Sequence, residues 1–158
     1  MVKKNNKFRE KLYKKTDFPK IKTIPKNLNK SWGKGKFVMP SPLEVNTLMK
    51  KVPKGKLTTI NEIRKKLSKK YKTTTACPIV TGIFSWIAVG AAKEDAKNGK
   101  KYITPYWRTL KSDGRINFKY PGGISYQKKR LIDENHKIKI KGKNFFVVNF
   151  ENKLVKLK

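Results

Sequence analysis

The stretch Thr104-Pro-Tyr-Trp-Arg-Thr-Leu-Lys-Ser-Asp-Gly-Arg-Ile-Asn-Phe-Lys-Tyr-Pro-Gly-Gly123 decides how the chain is read. It sets two aromatic residues behind a proline, then an arginine, an Asp-Gly turn and a Tyr-Pro-Gly-Gly turn. Two turn signals this close mean that the backbone doubles back twice within a short segment. A compact, irregular segment in a small protein is more often a site than a spacer. Helical sequence flanks it on both sides, so the expected fold is a helical frame that holds this loop.

Upstream, Ser41-Pro-Leu-Glu44 is a capping box with proline at the first helical position. Val45, Leu48, Met49 and Val52 then follow the spacing of one helical face. Thr59-Ile-Asn-Glu62 is a second capping box, and Ile60, Ile63, Leu67 and Tyr71 mark the stripe of a second helix. Thr73 to Thr75 supply the N-cap expected for a third. That third helix, Pro78 to Lys97, is apolar around nearly its whole axis, which makes it central. Its small residues Ala88, Gly90, Ala91 and Ala92 permit another surface to approach closely. Asn98-Gly99 ends it. After the opening stretch a fourth helix is expected over Ser125 to Asp133. A hairpin follows, with strands Lys137–Lys141 and Asn144–Phe150; in the first strand isoleucine alternates with lysine. The expected fold is mainly α with a small β-hairpin, a winged helix-turn-helix-like DNA-binding domain over residues 41–158.

Residues 1–40 read as a basic N-terminal arm. Lys7 to Lys15 can form a short amphipathic helix through Phe8, Leu12 and Tyr13. Prolines 19, 25 and 40, with Gly33 and Gly35, oppose anything long and regular beyond it. Trp32, Phe37 and Met39 are the residues available to pin the arm to the domain.

Charge narrows the function. The 158 residues carry 41 Lys+Arg against 10 Asp+Glu, a formal net charge of +31. A bias toward lysine explains why lysine outnumbers arginine, but not the scarcity of carboxylates. An excess this large repels itself in a compact chain, which points to a polyanionic partner, nucleic acid first. No run has the length of a membrane span, and no apolar secretory core opens the chain, so a cytoplasmic protein is expected. Cys77 is the one cysteine and His136 the one histidine. No disulfide, no cysteine-based zinc site and no cofactor is expected. Cys77 reads as a small buried hydrophobe and His136 as an exposed residue after a helix end.

Taken in order, these pieces resemble the DNA-binding domain of the alkylguanine-DNA alkyltransferases and alkyltransferase-like proteins, over residues 41–135. Val52-Pro-Lys-Gly-Lys-Leu-Thr-Thr59 is similar to the family's lead-in to the helix-turn-helix. Ala88-Val-Gly-Ala91 is similar to its recognition helix. Asn98 precedes Pro105 by the family's spacing, although two extra residues lie between Gly90 and Asn98. Pro105-Tyr-Trp-Arg108 stands in the place of Pro-Cys-His-Arg. Gly114 follows it as in the family, and Tyr120-Pro121-Gly122-Gly123 resembles the family's pocket loop. Gln127, Leu131 and Glu134 fall where its last helix and its relay carboxylate lie, with Asn135 in place of a glycine.

The departures fall on the chemistry. Alkyl transfer to a thiol needs a thiolate activated by a base. Tyr106 occupies the thiol position, and a phenol with a pKa of ~10 is protonated at neutral pH. Trp107 occupies the histidine position, and an indole N–H only donates. The resemblance implies that its N–H can donate to Glu134, preserving a relic of the relay. The arginine that fills the stack in the family falls at Ile87, and its helix-turn-helix tyrosine at Ile60; Ile87 or Trp86 is an apolar wedge in its place.

The resemblance implies a DNA-binding protein that senses an alkylated or flipped base without transferring the group. Its DNA contacts would be Trp86, Ile87, Ala88, Gly90, Ala91, Arg108, Lys111 and Arg115. Its pocket would be Ile60, Tyr106, Trp107, Tyr120, Pro121, Gly122 and Gly123. Double-stranded DNA is the implied partner, with alkylated guanine as the candidate lesion and a repair-pathway protein as the candidate recipient of the complex. A monomer is the expected state. Two alternatives stay open: an alkyltransferase-type enzyme with an unusual acceptor, and a general nucleic-acid or ribosome-associated basic protein.

Overall fold

Helix α5 (Pro78–Lys97) is the element the others pack around. Its buried residues, among them Ile87, Ala88, Val89, Gly90, Ala91 and Ala92, occupy nearly every side of the axis. The computed structural model describes residues 6–158, so the first five residues of the arm lie outside the described residues.

Against α5 lie α3 (Pro42–Lys50) and α4 (Ile60–Tyr71). Val45, Leu48 and Met49 of α3 meet Ile63 and Leu67 of α4 and Val89 and Ala92 of α5 in one apolar core. The starts of α3 and α4 are capped as the spacing predicts, with one difference. Ser41 Oγ accepts from Glu44 N while the Glu44 carboxylate accepts from Ser41 N, closing the box. Thr59 Oγ1 accepts from Glu62 N at 3.2 Å, but the Glu62 carboxylate turns to Lys65 instead. A cap of either kind is worth about 1 kcal/mol.

The start of α5 is a correction. Its N-cap is Cys77, without a side-chain cap, and Pro78 opens the first turn. Thr75 and Ala76 are extended instead, as β4 (Thr75–Ala76), pairing in parallel with β2 (Lys36–Met39). The threonines are drawn into this sheet. Thr81 Oγ1 donates to Cys77 O at 2.7 Å and tightens the first turn from inside.

Residues 6–40 are packed rather than trailing. Helix α1 (Lys7–Tyr13) lies on α5, with Leu12 buried against Ile87 and Ala91. Strand β1 (Lys20–Thr23) pairs antiparallel with β2. Trp32 of the short helix α2 (Asn29–Trp32), with Phe37 and Met39 of β2, closes around Ile24, Cys77 and Val80. Cys77 is a buried hydrophobe there.

Two-residue strands β3 (Thr58–Thr59) and β5 (Thr109–Leu110) pair in parallel and tie the start of α4 to the segment after Arg108. Helix α6 (Gly123–Asp133) begins two residues before the expected start, with Gly122 and Gly123 both at positive φ. The hairpin pairs β6 (Ile138–Lys141) with β7 (Asn144–Val147). Ile138 packs on the core, whereas Ile140 is exposed. The second strand stops short of Phe150, which sits in a 3-10 turn after a left-handed Asn149. The Phe150 ring covers Gly114, where any Cβ would overlap it; both the glycine and its positive φ are required there.

His136 is a second correction. It is 6% exposed. Its backbone N–H returns to Leu131 O at 3.0 Å, closing the end of α6, while Asn135 takes the left-handed position at φ 70°. Asparagine tolerates that conformation better than most other side chains, which suits it to this C-terminal cap.

Candidate nucleic-acid interface and relay site

Residues Tyr106–Arg108 form a 3-10 turn after Pro105, pressed between α3, α5 and α6. The indole N–H of Trp107 donates to Glu134 Oε2 at 2.6 Å. Arg108 donates to the same carboxylate through Nε at 2.8 Å to Oε1 and through Nη2 at 3.0 Å to Oε2, and its Nη1 donates to Val52 O. Gly55 N–H donates to Oε1 at 3.0 Å. Burial alone would raise the Glu134 pKa, but Arg108, Gly55 and Trp107 more than offset it and hold the carboxyl below its ordinary value. A carboxylate with four donors on it is a hub for structure, not a base with a free lone pair.

Arg108, expected as a phosphate contact, has its guanidinium paired with Glu134 and Val52 O, and it also borders the open cleft beside the turn. Arg115 pairs with Asp113 at 2.8 Å on the surface. Lys111 Nζ lies over the Phe118 ring. Asn98 donates to Asn6 at 3.1 Å, away from the relay.

Tyr106 is 2% exposed, and Trp107 and Tyr120 are equally closed off. The Tyr106 ring packs on Trp107, Tyr120 and Tyr126, with centroids 5.5, 6.3 and 6.1 Å away. Burial, then the neighbouring Tyr126, pushes the Tyr106 phenol above its usual pKa, against Arg130. Burial likewise pushes Tyr120 up to about 12. Both are neutral phenols near pH 7. The structure thus brings Tyr106, Trp107 and Tyr120 together as packed rings sealed from water. The loop residue Gly122 lies against Lys93, where a Cβ would meet the lysine amine. Gln127 Nε2 fastens this loop by donating to Asn117 O and Gly123 O. Ile60, the first residue of α4, is partly exposed.

Beside the turn, between α3, α6 and the 100–105 segment, is an open cleft of about 590 Å³. Lys50, Lys100, Lys101, Tyr102, Tyr126 and Arg130 line it, and no carboxylate does. The Arg130 guanidinium lies 4.2 Å from the Trp107 ring centroid, a cation–π contact.

The candidate reader residues of α5 divide. Ala88 is inside the main core. Ile87, Gly90 and Ala91 are covered by α1, with the Phe8 ring seated on Gly90. Trp86 is partly exposed and donates its indole N–H to Lys119 O at 3.1 Å. The small residues of α5 do admit a close approach; the surface that approaches is the Phe8 ring. Sequence reasoning missed Phe8 and Glu94, whose pairing across the chain has no local signal beyond those small residues.

Among the described residues no helix is long and apolar enough to cross a membrane. None of the described His, Cys, Asp and Glu residues gather in groups of three that could hold a metal ion.

Helices α3 to α6, with the 3-10 turn between them, define a mainly α fold of the alkyltransferase-like kind. It is shared with the crystal structure of S. pombe Atl1 in complex with damaged DNA containing O6-carboxymethylguanine, at a TM-score of 0.51 and 19% identity, over 73% of this chain and 94% of that one. No family model and no curated protein matches the sequence.

Proposed function

We propose that the protein binds double-stranded DNA through a cationic surface and transfers no alkyl group. The observation that carries this reading is the uncompensated charge of +31, together with internal roles for three of the ten carboxylates. Glu94 caps the backbone of α1, Glu134 holds Trp107 and Arg108, and Glu44 serves Ser41, Tyr71 and Lys70. Glu94 and Glu134 are buried. Glu10, Asp17, Asp113, Asp133 and Glu151 are the acids left exposed, too few to balance 41 Lys+Arg, so the outer surface is dominated by lysine. A polyanion that releases its counterions is the partner such a surface favours. Against transfer, a buried neutral phenol stands at the acceptor position and a locked indole at the base position.

A second reading is supported by the neighbour in fold, which was solved with damaged DNA: the aromatic set around Tyr106 receives an altered base. It requires the packed Tyr106, Trp107 and Tyr120 rings to open, so the closed arrangement favours duplex binding without a base in this hole.

Both readings are tested by affinity for a duplex with and without one O6-alkylguanine, across a salt series, with intact mass measured afterwards. Steep salt dependence, similar affinity for the two duplexes and an unchanged mass support the first reading. A tenfold preference for the lesion supports the second. An alkyl adduct on Tyr106 or Cys77 overturns the absence of transfer.

A further inference from the structure

Resting on the DNA-binding reading, we propose that the duplex meets a composite surface displaced toward the N-terminal end of α5. Its centre is the exposed stripe Ile79, Ile83 and Trp86, and α1 stays docked beside that stripe as a second, basic helix.

Ile79, Ile83, Trp86, Ile87, Gly90 and Glu94 recur at helical spacing along one face of α5. Along that face exposure changes abruptly. Ile79 is 64% exposed, Ile83 50% and Trp86 37%, whereas Ile87 and Glu94 are 8%. The covered half is the α1 dock. Phe8 sits on Gly90 and meets Trp86 edge to face at 4.8 Å. The Glu94 carboxylate accepts from Phe8 N–H at 2.6 Å and Arg9 N–H at 3.0 Å, which satisfies the free amides at the start of α1. Arg9 pairs with Asp95 at 3.2 Å, and Asn6 accepts from Asn98. Removing α1 would strip Glu94 of its amide donors and leave Asp95 with Lys100 as its one cation, setting an uncompensated carboxylate toward a polyanion. The covered half is therefore a poor DNA surface when bare, and α1 is a fixed part of the face.

What remains open is apolar at its centre and cationic at its margins. Lys11, Lys14 and Lys15 are exposed on and just after α1, and Lys119 is exposed next to Trp86 across the indole bond. From Ile79 to Trp86 the stripe is only about 10 Å long, at 1.5 Å per residue. That is far shorter than helices that lie in a lipid surface. Apolar side chains flanked by cations are the tools with which proteins enter a minor groove.

The test uses the full chain. Ile83→Glu is compared with Ile140→Glu, which makes the same change of charge at an exposed isoleucine of the hairpin. Duplex affinity is measured for both, together with hydrogen exchange of the Phe8 and Arg9 amides with and without duplex and binding to vesicles of anionic lipid. The expected result is at least a tenfold greater loss of affinity for Ile83→Glu than for Ile140→Glu, with the two amides still protected in the complex. Lys11→Gln/Lys14→Gln/Lys15→Gln is expected to reduce the salt slope by about 2 to 3. Equal losses for the two glutamate variants overturn the composite surface. Loss of Phe8 and Arg9 protection on binding overturns it in favour of a displaced α1. Vesicle binding that Ile83→Glu abolishes while duplex binding stays intact overturns it in favour of a lipid surface. Absence of saturable duplex binding by the unmodified protein instead removes the DNA-binding reading itself.

Discussion

The indole N–H of Trp107 lies 2.6 Å from Glu134 Oε2, and Arg108 holds the same carboxylate from a second side. These bonds brace the 3-10 turn against the end of α6. Trp107→Phe keeps an aromatic ring and deletes the donor. It is expected to cost about 1.5 to 3 kcal/mol, the worth of a hydrogen bond to a charged group. Urea unfolding measures it, and duplex affinity is expected to stay within twofold. An unchanged urea midpoint would show that the bond carries no stability.

Glu134→Gln is a harsher change. It leaves the Arg108 guanidinium, largely buried, without its counter-charge. Breaking one side of such a pair costs roughly 3 to 5 kcal/mol. The loss is expected to shrink when Arg108→Met is added, because the stranded charge is then gone. A double variant that loses the sum of the two single effects would contradict a coupled pair.

Acid should unfold the protein in two steps of sensitivity. The His136 pKa is lowered, first by burial, with Glu134 opposing and Lys153 and Arg108 adding to the shift. Its folded value lies below the unfolded value of about 6.5, so its contribution is present above that pH and is lost as pH falls toward the folded value. Glu134 and Glu44 are held below the ordinary carboxylate value. Their contributions are present above about 4.3 and are lost as pH falls through the folded values. In a urea series from pH 7.5 to pH 3.5, His136→Gln is expected to flatten the upper part of the decline. Glu134→Gln is expected to flatten the lower part. A decline unaltered by either variant would contradict these assignments.

Gly90 carries the dock of α1. A side chain there would overlap the Phe8 ring. Gly90→Leu is expected to cost about 1 to 3 kcal/mol by overpacking and to release the Phe8 and Arg9 amides to rapid hydrogen exchange. Retained protection at both amides would show that α1 is held without this contact.

Much of the frame was legible because its signals are local. The Ser41–Glu44 box and the apolar circumference of Pro78–Lys97 each need only a few neighbouring residues to be read. The Trp107–Glu134 bond was legible because the resemblance put an indole donor and a carboxylate at facing positions. The dock of Phe8 on Gly90 was not, since it joins residues far apart in the chain and shows in sequence only as a small residue in an apolar helix. The parallel pairing of Thr58–Thr59 with Thr109–Leu110 is too short to leave a periodicity. Arg108 looked like a surface cation because sequence does not tell which way a long side chain turns, and His136 looked like an exposed end because its neighbours Arg108 and Lys153 come from distant parts of the chain.

Duplex affinity across a salt series is the most direct measurement of DNA binding without base capture. An undamaged duplex and the same duplex carrying one O6-alkylguanine are titrated from about 50 to 200 mM salt. Both are expected to bind, within threefold of each other, with affinity falling on the order of a thousandfold over that range, as expected for several lysine–phosphate contacts. No saturable binding to either duplex at the lower salt would contradict DNA binding outright.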